Sequence, residues 1–249
     1  MATNTRYGLK EVANVIFFDV ATNKPVIFFD TLKVSTIENE SESAEARGGQ
    51  GNGRLMTWDF GRTATLTLQD ALLSDVSLSL LAGTAVKTTG IEVVGRETLV
   101  ASTVSTKVQV TLAETPKGGA SKVAVYKVDK GVMGDEITGF TVNAKAIEFA
   151  TGVTDGQSVM VFYSYDAPVG STMVTFSGSK FPATYRVVGD TVVRGQDGVD
   201  RKMQFVIPKA KLQSTFNLTM DAENVSTFDF TLDVLVDAET NKLYDIIRL

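Results

Sequence analysis

VIFFDVATNKPVIFFD, residues 15–30, writes one apolar, phenylalanine-rich string twice with VATNKP between the copies. Asn23 and Pro25 suit a chain reversal, so the stretch predicts a β-hairpin over roughly residues 13–34. Consecutive strand residues point to opposite faces, which puts Val15 and Phe17 on one side and Ile16 and Phe18 on the other. Neither side suits water. A strand apolar on both faces needs two covers. The core supplies one, and a helix or a neighbouring copy must supply the second. Each Phe fully buried at such a contact gains about 1.5–3 kcal/mol over exposure. Free strand edges also pair readily with another chain. The stretch therefore points to a mainly β protein that assembles.

Composition narrows the field. The 249 residues suffice for one large all-β domain or two smaller ones, and 21 Gly against 5 Pro suits many turns. The net charge of −5 argues against a broad nucleic-acid-binding surface, and the one basic run is KAK at 209–211. Cysteine is absent, which excludes disulfides, thiol nucleophiles and thiolate metal sites. Histidine is absent too, which excludes Ser-His-Asp and histidine–zinc chemistry. No signal peptide or bilayer-crossing stretch is expected, and assembly in the cytosol is.

Further along, IENESESAEARGGQGNGR (37–54) starts acidic, ends glycine-rich and shows no periodicity. It reads as a long loop, either solvated or ordered against a neighbouring subunit. A strand follows at 63–69, where Ala64, Leu66 and Leu68 alternate with threonines. The period then changes. Ala71, Leu72, Val76, Leu80 and Leu81 share a helical stripe over 70–82, with Asp70 as N-cap and Gly83 as stop. Candidate strands recur at 107–112, 121–128, 136–142, 146–150 and 157–165, the spacing of a small sandwich. The expected division is residues 1–90 and 171–249 for a main domain, with 91–170 as an inserted β-sandwich module. The last third predicts strands in STMVTFSG, KFPATYRVVGDTVV and KMQFVIPKAK, then an antiparallel hairpin over 215–236 joined by ENVST. One face of that hairpin carries Phe216, Leu218, Met220, Phe228, Phe230 and Leu232. The other carries Asp221, Glu223, Asp229 and Asp233, either a solvated surface or an acidic wall along a cavity or channel.

Chemical equipment is scarce. There is no GxxxxGK[ST] and no GxGxxG, and GGQGNG at 48–53 precedes a strand rather than a helix. DKGVMGDE at 129–136 lacks the EF-hand spacing. Trp58, in WDF, reads as an apolar anchor in a core in preference to an interface. No catalytic, cofactor-binding or metal-binding residue is expected, and no cofactor.

GRLMTWDFGRTATLTLQDALLS (53–74) and KFPATYRVVGDTVVRGQDGVDRKMQFVIPKAKLQSTFNLTMDAENVSTFDFTLDVLV (180–236) resemble the major tail-tube proteins of tailed bacteriophages, FVIPKAKL before a threonine-rich hairpin being the more specific element. The resemblance implies a fold of two packed antiparallel sheets or a β-barrel with one flanking α-helix. The segment near 91–170 is similar to the immunoglobulin-like modules that decorate some tubes. It implies a non-enzymatic, late virion structural protein of the tail, self-assembling in the host cytoplasm into hexameric rings. The rings would stack into a tube for DNA ejection, and the loop 37–54 would reach toward an adjacent ring. Partners would be further copies, with sheath, tape-measure and tail-terminator proteins. Double-stranded DNA would pass without specific binding, and no membrane would be involved. The alternatives are a capsid decoration or baseplate component, and a carbohydrate-binding or hydrolytic β-protein.

Overall fold

The computed structural model describes residues 6–9, 11–223 and 227–249. In chain order the strands are β1 (Tyr7–Leu9), β2 (Asn14–Asp19), β3 (Pro25–Phe29), β4 (Leu32–Gly48) and β5 (Gly53–Asp70), followed by helix α1 (Asp75–Ala82). Then come β6 (Glu92–Val100), β7 (Ser102–Val104), β8 (Lys107–Thr111), β9 (Val123–Asp129), β10 (Val132–Ile137), β11 (Phe140–Asn143), β12 (Ala146–Phe149) and β13 (Ser158–Asp166). The chain ends with β14 (Thr184–Gly195), β15 (Asp200–Leu212), β16 (Phe228–Val234) and β17 (Asp245–Arg248). Two compact units result: Met1–Val86 with Val174–Leu249, and Lys87–Met173. The fold is mainly β, with packed antiparallel sheets and, among the described residues, one α-helix.

The first unit is a nine-stranded sheet in the order β3-β2-β14-β15-β16-β5-β4, with β1 beside β14 and β17 beside β15. It ends in β3 and β4 and does not close into a barrel. It curls on itself instead. Phe29 of β3 and Phe230 of β16 are not sheet neighbours, yet their rings lie 5.1 Å apart. Val15, Phe17, Leu66, Leu68, Ile207, Leu212 and Leu232 fill the space between. Gly189 of β14 leaves room for the Phe205 ring of β15, which would lie 2.1 Å from any Cβ there. Pro208 and Lys209 form a bulge, because Tyr185 pairs with Ala210 and Val187 with Ile207. A bulge is where a sheet tolerates a proline.

The repeated string forms the predicted hairpin, with Val15 opposite Phe29 and Phe17 opposite Ile27. Val15, Phe17 and Phe29 are buried. On the opposite face Ile16 and Phe18 are half-buried and Phe28 is 54 % exposed. The guanidinium of Arg186 lies 5.2 Å above the Phe18 ring and gives it partial cover. The helix gives that face none, because Leu80 and Leu81 join the core on the Phe17 side.

Four sequence expectations are corrected. The loop 37–54 is a two-stranded ribbon: β4 and β5 pair from Leu32↔Asp70 to Gly48↔Gly53, and only residues 49–52 turn. Cross-strand pairing supplies the order that the acidic segment's own pattern does not reveal. The helix begins at Asp75, because Asp70 is engaged as the last residue of β5. Its Oδ1 accepts from the Thr31 hydroxyl at 2.5 Å and from the Leu72 amide at 3.3 Å. Ser74 caps instead: the Ser77 amide donates to Ser74 Oγ at 3.1 Å, and the Ser74 amide donates to Ser77 Oγ at 3.0 Å. The hairpin 215–236 is also absent as such. Only β16 is a strand: β5 pairs with it from Phe228 to Val234, and β15 pairs only with Leu232–Val234. Residues 213–223 run on past that point without ladder pairing, held by the Gln213 amide donating to the Thr231 carbonyl at 2.9 Å and by Phe216 against Phe228. Three residues of the ENVST connection, 224–226, lie outside the described residues. STMVTFSG contributes a single bridge, Met173 to Lys87, rather than a strand.

In the second unit, β10-β9-β13-β6 and β11-β12-β8-β7 form two four-stranded sheets. Val125, Val159 and Val161 of one pack with Val110, Ile147 and Phe149 of the other in a single core. Residues 136–142 split between β10 and β11 at Gly139, whose φ is 85°. The buried Tyr163 donates its hydroxyl proton to the Glu97 carboxylate and accepts from the Glu114 amide at 3.2 Å. Glu97 also accepts from the Ala113 amide at 3.1 Å, so the pair anchors the segment that leaves β8.

Candidate assembly surfaces

Two surfaces of the first unit stand out, an arm and a polar sheet face. The arm is the distal part of the β4–β5 ribbon. β5 is exposed at every residue from Gly53 to Thr63 and becomes buried in alternation only from Ala64. The boundary has a local cause. Glu40 pairs with Thr63 and Glu42 with Phe60, so β5 holds one extra residue there, and Gly61 adopts φ 62°. Such a glycine bulge bends a ribbon and raises its twist. The tip turns on Gly49, Gly51 and Asn52, all at positive φ, with the Asn52 amide donating to the Gly49 carbonyl at 3.1 Å.

The two faces of the arm differ. Ala44 pairs with Trp58, Ala46 with Met56 and Glu42 with Phe60, so these share one face. Met56, Trp58 and Phe60 are each more than half exposed. On the reverse, Glu45 lies opposite Thr57 and Ser43 opposite Asp59. Glu45 holds Arg47 at 2.6 Å and also pairs with Arg54. The expectation that Trp58 anchors the core is overturned. Its strand has left the core before the tryptophan is reached. A lone two-stranded ribbon is at best marginal in water, and a contiguous row of large apolar side chains on it marks an interaction surface.

The second surface is the outward face of β16, β5 and β4. Asp229 pairs with Gln69, Thr231 with Thr67 and Asp233 with Thr65, while β4 adds Thr36 and Glu38. Gln69 Nε2 donates to Asp229 Oδ1 at 3.0 Å, and Gln213 Nε2 to Asp233 Oδ1 at 2.8 Å. The predicted acidic wall is therefore only partly assembled. Asp229 and Asp233 share the face, whereas Asp221 and Glu223 lie in the irregular segment beside it. Sequence reasoning missed Glu38, which the supposed loop had hidden. Reading 37–54 as a paired strand would have found it.

The remaining concavities are shallow clefts, and among the described residues no cluster of three or more Asp, Glu, His or Cys is placed to hold a metal ion. Among the same residues no helix is long and apolar enough to cross a membrane. Compared with known families, residues 7–249 match the YomU/Tube protein family. The chain belongs to the YomU/Tube protein family. The match covers both units, the inserted one included. It supports the coarser part of the sequence reading, a phage tube-type structural protein. No curated protein matches the sequence.

Proposed function

We propose that this YomU/Tube family member is the repeating subunit of a phage tail tube. Copies join into rings, six being the number the resemblance implies, and the rings stack around a channel through which DNA leaves. The single observation that supports this reading is the arm. A folded chain that holds Met56, Trp58 and Phe60 in water on a two-stranded ribbon needs a second molecule to cover them. At about 1.5–3 kcal/mol for each large side chain fully buried, one arm contributes several kcal/mol per contact, and a ring multiplies the contacts.

The outward face of β16, β5 and β4 suits the channel wall. It carries threonines, glutamines and carboxylates, with Asp229 and Asp233 exposed. DNA is held through counterion release at basic groups, so a neutral-to-acidic wall offers little grip. The carboxylates repel phosphates within a Debye length of about 8 Å at physiological salt. The function is passive guidance, without turnover. Sheath, tape-measure and terminator proteins are proposed as further tail partners. Electron microscopy of the purified, concentrated chain tests the proposal. Hollow polymers or stacked rings are expected, and solid aggregates or persistent monomers would contradict it.

A further inference from the structure

The dipeptide Asn52–Gly53 closes the tip of the arm, and every other asparagine in the chain precedes a residue with a Cβ. The pairing has a chemistry of its own. The backbone nitrogen that follows an asparagine can attack its side-chain amide carbon, and a Cβ on the attacking residue hinders the approach. Glycine has none. Gly51, Asn52 and Gly53 are all exposed. A Cβ at Gly49, Gly51 or Gly53 would meet nothing within 4 Å, so the backbone here stands open to water. Among the described residues nothing holds the Asn52 side-chain amide. By contrast, Asn39 Nδ2 donates to the Tyr244 hydroxyl at 2.7 Å, and Asn23 Oδ1 accepts from Arg186 Nη1 at 2.9 Å.

The ribbon lets this dipeptide move. Its closing pair is Gly48↔Gly53, and β5 stays exposed from Gly53 to Thr63. A two-stranded ribbon without a core behind it opens locally at little cost. Opening frees the Gly53 nitrogen to reach the Asn52 side chain. Charge favours the step. Arg47 lies opposite Arg54 and both pair with Glu45, so the tip holds two guanidiniums against one carboxylate, with Glu42 and Asp59 further down the arm. A positive surrounding favours loss of the amide proton that the attack requires. The two Asp–Gly dipeptides, which could close the same ring, lack this freedom. Asp197 is held by Arg201 at 2.5 and 3.0 Å and by the Val199 amide at 3.1 Å, and Asp155 Oδ1 accepts from the Thr103 amide at 2.7 Å.

We infer that Asn52–Gly53 is a self-modifying site of the free subunit, closed when the arm docks on another copy. The Gly53 nitrogen loses its proton and bonds to Asn52 Cγ. The Cγ–Nδ2 bond breaks, the amide takes up a proton and leaves as ammonia, and a cyclic imide remains. Water then opens one of the two ring C–N bonds. Opening at Cγ leaves aspartate. Opening at the main-chain carbonyl leaves isoaspartate, whose backbone runs through Cβ and Cγ. Water enters, ammonia departs, and nothing is oxidised or reduced. Either product adds a carboxylate beside Arg47 and Arg54, in competition with Glu45. Isoaspartate also lengthens the turn by one backbone carbon, so Gly48 and Gly53 no longer oppose each other. The change therefore marks arms that have waited unassembled. Protection by docking rests on the tube reading; the modification itself does not.

Trypsin cuts after Arg47 and Arg54 and releases GGQGNGR, residues 48–54, so mass spectrometry of aged protein reads the site directly. The purified chain, aged at low concentration in mildly alkaline buffer, should lose the Asn52 amide and gain an isoaspartate form of this peptide that separates on chromatography. The loss should quicken as pH rises. N52G removes the amide and suits the φ of 51° at this position, so it should show no such change. G53A adds a Cβ where space is open and should slow the loss severalfold. Chain polymerised before ageing should lose the amide at least about tenfold more slowly, because seating even one large apolar side chain suppresses opening by about that factor. Retention of Asn52 in the free folded chain, under conditions where the urea-unfolded chain loses it, would overturn the site. Equal rates in free and polymerised chain would overturn the protection. Failure of the parent chain to polymerise would overturn the tube reading and the protection with it, while loss of the amide from the free chain would still support the site.

Discussion

Single residues show where this protein follows core logic and where it departs from it. Tyr163 follows it: burial, and then the hydrogen bond to Glu97, push its phenol up to about 12. The folded chain therefore keeps a proton that the unfolded chain releases near pH 10, so the contribution of Tyr163 to stability falls as pH rises from about 10 to 12. Ultraviolet titration of the folded protein should find one tyrosine ionising about two units late, and Y163F should remove it. Trp58 departs from core logic by standing in water. Asp229 and Asp233 are exposed acceptors from glutamines and carry none of the core. D229K/D233K should leave the thermal midpoint within a few degrees, since surface changes are usually small. On the proposed channel reading it should slow DNA ejection from particles built with it. Unchanged ejection would remove the acidic wall from the account.

Among elements, α1 illustrates how closely caps bind sequence to structure. Its C-terminal turn closes on Gly83, at φ 62°, with the Gly83 amide donating to the Leu80 carbonyl and the Thr84 amide to the Ser79 carbonyl. A Cβ at Gly83 would also sit 2.2 Å from the Phe181 carbonyl oxygen. The left-handed backbone costs roughly 1–2 kcal/mol for a non-glycine residue, and the clash adds a comparable overpacking term. G83A should lower unfolding stability by about 2–4 kcal/mol in urea titration; a loss under 1 kcal/mol would mean that the 181 segment yields freely. This glycine was legible in the sequence, as was the alternation of Ala64, Leu66 and Leu68. The helix start was not, because an aspartate at 70 and a serine at 74 are both good caps. Only the Thr31 hydroxyl, 39 residues upstream, decides between them. The hairpin at 215–236 failed for a related reason. Period-two patterning identifies a segment suited to a strand, but not whether it closes a ladder: residues 213–216 lie beside β16 with one backbone hydrogen bond, Gln213 to Thr231, and no ladder.

For the whole molecule, the mainly β architecture could be read from patterning, and the curl of the sheet could not. Curling depends on contacts between strands far apart in sheet order, such as Phe29 with Phe230. The arm escaped notice because its two strands gain order only from each other, and neither packs on the core beyond Ala64. The same fact makes it informative. Residues 53–63 are exposed throughout, so replacing their apolar members removes no core packing from the folded subunit. The triple variant M56S/W58S/F60S should therefore unfold with the parent thermal midpoint. Sedimentation velocity of parent and variant, at matched high concentration, tests the central claim most directly. The account predicts a fast, polymeric boundary for the parent and a single 26.8 kDa species for the variant. Polymerisation of the variant to the same extent as the parent would contradict it.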